Sequence, residues 1–451
     1  MTEPLMISTS GIRGIVGAGL DPAVAVQYAA AFGTYLRKGR VIIGRDTRPS
    51  GQMLKMAVIA GLRGVGIGVI DVGIVPTPTV QLAVTGLSAA GGVCLTASHN
   101  PAEWNALKFF NRKGEFIDKS DLRKIGWILQ SRKFGFKDFR SLGGLQTDNS
   151  WLEKHVNDIL KLKVINRRAV KSARLKVVVD AVNGAGSIAL PLLLERLGLE
   201  IVRLNCDNDG NFVHKPEPVA ANLKMLSAAV KKFRADIGMA CDPDADRLAL
   251  VDENGRPLGE ELTLALAVRF ILSKRRGNVV VNLSTSRVTQ DVASQMGART
   301  YYTSVGEANV IAGLKKHKAI IGGEGNGGVI YPVSHYGRDA LVGAAAMAAL
   351  VAESKKSLSE LAGTLPIYYN IKLKAPLPRG FEKKIARLEK AAKESFDHLK
   401  IDRRDGLRFD FSRGWFQVRK SNTEPIYRLI IESDSDKLSN VIKGEITKIL
   451  K

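Results

Sequence analysis

The chain has 451 residues, 45% hydrophobic and 25% charged, a composition ordinary for a soluble globular protein, and its length is too great for a single core, so three or four domains are expected. Lysine and arginine number 67 against 44 aspartates and glutamates, a formal charge of +23 that favours anionic partners. The cations are spread along the whole chain, with no basic stripe interleaved with aromatics, which argues against a nucleic-acid surface.

The first segment, 1–150, opens on Ser8-Thr9-Ser10-Gly11-Ile12-Arg13-Gly14. Two glycines let the backbone turn tightly about Arg13, whose guanidinium fork suits phosphate oxygens. A helix is predicted over Pro22–Leu36, then a buried strand over 41–44 that runs into Arg45-Asp46-Thr47-Arg48-Pro49-Ser50-Gly51. This loop reads as a helix start capped by Ser50, with Arg45 and Asp46 holding it. A second buried strand, Gly91–Leu95, ends in Thr96-Ala97-Ser98-His99-Asn100-Pro101. Pro101 bars helical backbone before it, so Ser98 stands in a strand-end loop, where open α/β sheets place their ligands.

A polar stretch at 141–150 precedes the second segment, 151–252. Its strand at 175–180 runs into Asn183-Gly184-Ala185-Gly186 and an apolar helix. Near its end stands Cys241-Asp242-Pro243-Asp244-Ala245-Asp246-Arg247, three carboxylates at alternate positions in a short loop. Hard oxygen ligands so close together point to a cation, with Mg²⁺ favoured where phosphate is the substrate. An EF-hand is excluded, because its sixth position must be glycine and here is Arg247.

The third segment, 253–367, repeats the pattern with a strand at 277–282 and then Ser284-Thr285-Ser286. It also carries Gly322-Gly323-Glu324-Gly325-Asn326-Gly327-Gly328, whose only side chains are those of Glu324 and Asn326. The last segment, 368–451, offers a helix over 381–396, strands at 406–411, 415–419 and 427–431, and a final helix from Asp436. Between its last two strands, Arg419, Ser421, Asn422 and Thr423 form a candidate phosphate cradle. Three strand–loop–helix units predict three related α/β domains with mixed sheets, followed by a smaller α+β domain.

These four motifs, in this order and over nearly the whole chain, resemble those of the α-D-phosphohexomutases. The resemblance implies that Ser98 carries a phosphoryl group and donates it to a sugar phosphate, with Lys108 near the reacting hydroxyl and Arg13 against the phosphoserine. His99 either supports the charge or is an ordinary loop histidine. Lys108 either stays charged or, if desolvated, moves protons. Mg²⁺ would be held by Ser98, Asp242, Asp244 and Asp246, with Arg247 balancing charge, and Glu324 and Asn326 would read the sugar. The loop departs from the family twice: Asn326 replaces a serine, and Gly328 stands where many members have a histidine. The implied reaction interconverts hexose or hexosamine 6-phosphate and 1-phosphate through a sugar 1,6-bisphosphate, which also acts as activator. The Glu-Gly-Asn form of the loop favours glucosamine phosphate over mannose or glucose phosphate. The main rival is a metal-dependent phosphatase, which needs no distal cradle.

Cys94, Cys206 and Cys241 lack metal-ligand spacing, and the N-terminus lacks a signal-peptide pattern, so a cytoplasmic setting is expected. The longest apolar run, 341–352, is too short to span a membrane. The sequence carries no reading of oligomeric state.

Overall fold

The computed structural model describes residues 5–421 and 426–451. The first sheet has seven strands, in spatial order Met6–Ser8, Gly11–Ile15, Trp104–Asn111, Gly91–Leu95, Arg40–Arg45, Gly68–Ile74 and Leu145–Thr147. It is antiparallel as far as Gly91–Leu95 and parallel beyond. Two four-stranded mixed sheets follow, in order Leu248–Val251, Ile237–Cys241, Lys176–Asp180, Glu200–Leu204, and Thr300–Thr303, Val279–Asn282, Ile321–Glu324, Gly328–Ile330. Their inner strands are parallel and read as unbroken apolar runs, Val177-Val178-Val179 and Val279-Val280-Val281, because both faces are covered. The last sheet is wholly antiparallel, in order Tyr369–Pro376, Ile426–Ser433, Gly414–Lys420, Leu407–Phe411, Lys400–Asp402.

The helix Pro22–Leu36 lies where it is predicted: Asp21 accepts from Val24 N at 2.8 Å and Pro22 fits the first turn. The predicted cap at Ser50 is not formed. Ser50 already has helical backbone, which turns its hydroxyl away from the first amides, and Oγ accepts instead from Asn105 Nδ2 at 2.9 Å. The polar stretch at 141–150 hides the strand Leu145–Thr147, and 369–376 forms an edge strand. That edge strand escapes a pattern search because Lys372, Lys374 and Pro376 are the residues sheet edges carry.

The apolar run at 341–352 belongs to the helix Ala340–Ser354, buried on nearly every side. It packs on the helices Trp151–Leu160, Arg167–Ala173 and Gly186–Leu197, so that the second and third segments share one continuous core. The first and last segments have cores of their own. No helix of the described residues is long and apolar enough to cross a membrane.

Candidate active site

A cleft of about 510 Å³ is lined by all four segments, with eight cationic side chains against five carboxylates on its walls. Ser98 is 3% exposed at its floor. Its φ of 52° lies in the left-handed region, which serine takes only where its surroundings hold it. Arg48 supplies that hold. Fully buried and paired to Asp46 at 3.0 Å, it donates to the carbonyls of Ser98 (2.7 Å), Asn100 (2.6 Å) and Trp104 (3.0 Å). Ser98 Oγ donates to Asp242 Oδ2 at 2.7 Å and lies 3.3 Å from His99 Nδ1.

The three aspartates are buried, and one oxygen from each lies within 4.8 Å of the others. Their loop follows the strand Ile237–Cys241 and turns at Ala245 with φ 50°. Gly184 permits its closeness to the neighbouring turn, since a Cβ there would meet Pro243 Cα at 2.5 Å. Asp242 Oδ1 accepts from the amides of Asp246 and Arg247. Asp244 Oδ2 accepts from Lys108 Nζ at 2.6 Å and from Thr77 Oγ1 at 2.5 Å. Asp246 Oδ2 accepts from Arg338 Nη2 at 2.6 Å. Oδ1 of both Asp244 and Asp246 is buried with no hydrogen-bond partner. Orphaned carboxylate oxygens this close fit a hard divalent cation, which would satisfy them.

Burial, with Asp246 and Asp244 adding to it, pushes Asp242 well up, while Asp244 is held low because Lys108 outweighs its burial. For Lys108, 2% exposed, burial alone would lower the pKa, but Asp244 and Asp246 reverse the shift and keep it an ammonium. Of the two roles open to it, the geometry supports the charged one. Burial, then Arg247 and Arg13, pushes His99 well below its usual range, so it is neutral at physiological pH and adds no positive charge. Arg13 binds Asn100 Oδ1, and burial followed by Arg247 lowers it to about 10. Arg247 Nε lies 3.6 Å from Asp246 Oδ1.

Beyond Arg338, Glu324 Oε1 accepts from Asn282 Nδ2 (2.7 Å) and Gly306 N (3.1 Å), and Oε2 from Arg338 Nη1 (2.7 Å). Burial would raise it, and Arg338 overcomes that to hold it low. Asn326 Oδ1 accepts from Gly328 N at 3.2 Å, bracing its own turn. Arg419 stands opposite Arg428 in the sheet register, and both line the cleft. Ser421 N donates to Ile426 O, whereas Asn422 and Thr423 lie outside the described residues. The sequence reading did not single out Arg48, Glu307, Arg338, Lys372 or Arg428. Only the register of the last hairpin, pairing 419 with 428, would have found one of them.

Four profiles of one family match the chain: "Phosphoglucomutase/phosphomannomutase, alpha/beta/alpha" domains I, II and III at residues 5–135, 153–255 and 259–368, and the C-terminal domain at 370–449. A "Phosphoglucomutase/phosphomannomutase" of Thermococcus kodakarensis is 39% identical, covering 96% of this chain and 95% of that one. A "Probable phosphoglucosamine mutase" of Methanopyrus kandleri is 36% identical over 98% and 97%. The crystal structure of a phosphoglucomutase/phosphomannomutase family protein from Burkholderia thailandensis superposes with a TM-score of 0.87 at 29% identity, covering 99% and 98%. The chain therefore belongs to the phosphoglucomutase/phosphomannomutase family of α-D-phosphohexomutases.

Proposed function

We propose that the chain interconverts hexosamine 6-phosphate and 1-phosphate, with glucosamine phosphate preferred, through a phosphoryl group carried on Ser98 and a sugar 1,6-bisphosphate. The observation that carries this reading is the pairing of the Ser98 hydroxyl with Asp242 in a cleft that Arg419 and Arg428 of the last segment also line. Phosphate has a place to react and another place to be held.

In the first half-reaction the sugar hydroxyl oxygen bonds to phosphorus as the bond from phosphorus to Ser98 Oγ breaks; in the second, Ser98 Oγ bonds to the other phosphorus as its bond to the sugar oxygen breaks, and that oxygen takes up the proton the first hydroxyl gave up. The sugar, now bisphosphorylated, reverses in the cleft, and its other phosphate returns to Ser98. Mg²⁺ held by Ser98, Asp242, Asp244 and Asp246 would polarise the phosphoryl oxygens. Lys108 keeps its positive charge beside the aspartates, and Arg13 and Arg247 bring two more cations to the same floor. Arg419, with Ser421, Asn422 and Thr423, would grip the phosphate that is not reacting. Glu324 would read the ring hydroxyls with Asn326 shaping its turn. The bisphosphate serves as activator by restoring the phosphate to Ser98. A cytoplasmic setting agrees with three unpaired cysteines, and the domains divide in this reading at 150, 252 and 367.

The preference for glucosamine draws on the Glu-Gly-Asn loop and on relatives such as the Methanopyrus protein. A second reading, mannose or glucose phosphate, draws on the name of the Thermococcus relative. An activity panel of hexosamine and hexose 1-phosphates, with Mg²⁺ and catalytic sugar 1,6-bisphosphate, separates them. The expected result is highest kcat/KM on glucosamine 1-phosphate with free phosphate near background. Turnover confined to hexose phosphates selects the second reading, and release of free phosphate at the rate of turnover makes the protein a phosphatase.

A further inference from the structure

Position 328 has no side chain, and another residue fills the space. A Cβ built on Gly328 would meet Arg338 Cδ at 2.3 Å and Cγ at 3.0 Å, so glycine is required where the arginine stem crosses the hairpin. Arg338 is 8% exposed and lines the cleft. Its planar fork reaches three carboxylates on three stretches of chain. Nη2 donates to Asp246 of the metal loop at 2.6 Å, Nη1 to Glu324 of the sugar-facing hairpin at 2.7 Å, and Nε to Glu307 at 3.0 Å. A lysine is a point charge on a flexible stem and cannot hold three carboxylates in fixed directions.

The neighbouring residue anchors the arginine. Asp339 hydrogen-bonds His155 Nε2 at 2.9 Å and His335 Nε2 at 3.1 Å, and its other oxygen accepts from Leu341 N at the start of the helix Ala340–Ser354. His155 Nδ1 in turn meets Thr79 Oγ1 at 2.8 Å. With both nitrogens of His155 engaged, this cluster is a brace across three segments rather than a metal site.

We propose that Arg338 is a positioning residue for phosphoryl transfer: through the space left at Gly328 it locks metal-loop Asp246 and sugar-loop Glu324 into one arrangement. The inference rests on the mutase reading above. It assigns to a residue ten positions further on the place a side chain at 328 would otherwise take.

The test is a mutant cycle on the full chain: wild type, Gly328→Ala, Arg338→Lys, Arg338→Ala and the double variant Gly328→Ala/Arg338→Ala. Each is measured by steady-state mutase kinetics and by thermal denaturation. Misplacement of about 1 Å costs roughly 100-fold, so Gly328→Ala and Arg338→Lys should each lose about that in kcat, with KM for the sugar phosphate little changed. Gly328→Ala should cost nothing further, in kcat or in melting temperature, once Arg338 is alanine. Additive effects of the two substitutions, an Arg338→Lys variant with wild-type kcat, or a loss seen only in KM would overturn the proposal. If Arg338→Ala fails to fold, Arg338→Lys alone decides. Failure of the mutase reading is seen separately, as a wild type that turns over no hexose phosphate. Non-additivity in melting temperature then still decides whether Arg338 fills the space at 328.

Discussion

The middle of the chain and its last quarter face the same cleft, but they are joined to the molecule by different physics. The second and third segments share one apolar core through the helix Ala340–Ser354, so the metal loop and the sugar-facing hairpin cannot part without exposing that core. The last segment has a separate core and meets its neighbours largely through polar contacts. Arg287 donates to the carbonyls of Phe411 and Gly414, Ser284 to Gln417, Val305 N to Asp405, and Lys372 to Glu260 and Glu261. The lesson is a division of labour: one wall of the cleft is held by apolar burial, and the wall carrying Arg419 is held to it by hydrogen bonds and ion pairs.

The sharpest break comes on the fixed wall. Asp244→Asn removes the partner of Lys108 and one anionic ligand, and turnover of the folded enzyme should fall roughly a thousandfold or more. A chelator-treated wild type with full activity would contradict the cation assignment.

Next in size is the shared core. Leu341 is fully buried in it, and Leu341→Ala should cost about 2–5 kcal/mol in denaturant unfolding. Because the core is common, signals from the second and third segments should fall together. A variant in which the two segments unfold separately would refute a single core.

On the polar-bound wall, Arg419→Ala would remove the charge-assisted bonds by which, in the proposed reading, the distal phosphate is held. The loss should be about 1.5–3 kcal/mol, or roughly 10- to 150-fold, for the 1-phosphate and the 6-phosphate alike. An effect in one direction only would mean that this wall does not hold each phosphate in turn.

The smallest effect concerns the joint between the walls. Burial, only partly offset by Lys372, raises Glu261 from the usual 4.5 to about 7. Between those values the folded chain keeps a proton that the unfolded chain has released, so stability falls as pH rises from 4.5 to 7 and is level above. Glu261→Gln should flatten that slope, by on the order of 1 kcal/mol after allowance for its partly wet setting. Parallel stability profiles of the two proteins would show that Glu261 keeps an ordinary pKa.

What the sequence made legible followed from local rules. Continuous apolar runs marked the inner strands, Asp21-Pro22 marked a helix start, and the spacing of Asp242, Asp244 and Asp246 announced a cation. What stayed hidden depended on distance or on edges. Arg48 acts on carbonyls 50 and more positions away, and Arg338 on Asp246 across 92 positions, so neither leaves a local pattern. The edge strand Tyr369–Pro376 is disguised by the lysines and proline that keep it from pairing with other chains. Ser50 looks like a cap by composition and is not one, because Asn105 takes its hydroxyl.

The central claim is that Ser98 carries the phosphoryl group between the two sugar positions. It is tested most directly by incubating the protein with sugar 1,6-bisphosphate labelled in its phosphates and locating the label by peptide mass analysis. The account predicts label on Ser98, chased off by unlabelled sugar phosphate, and a Ser98→Ala variant that folds normally but neither takes up label nor turns over. Label on another residue, or a Ser98→Ala variant that retains mutase activity, would contradict it.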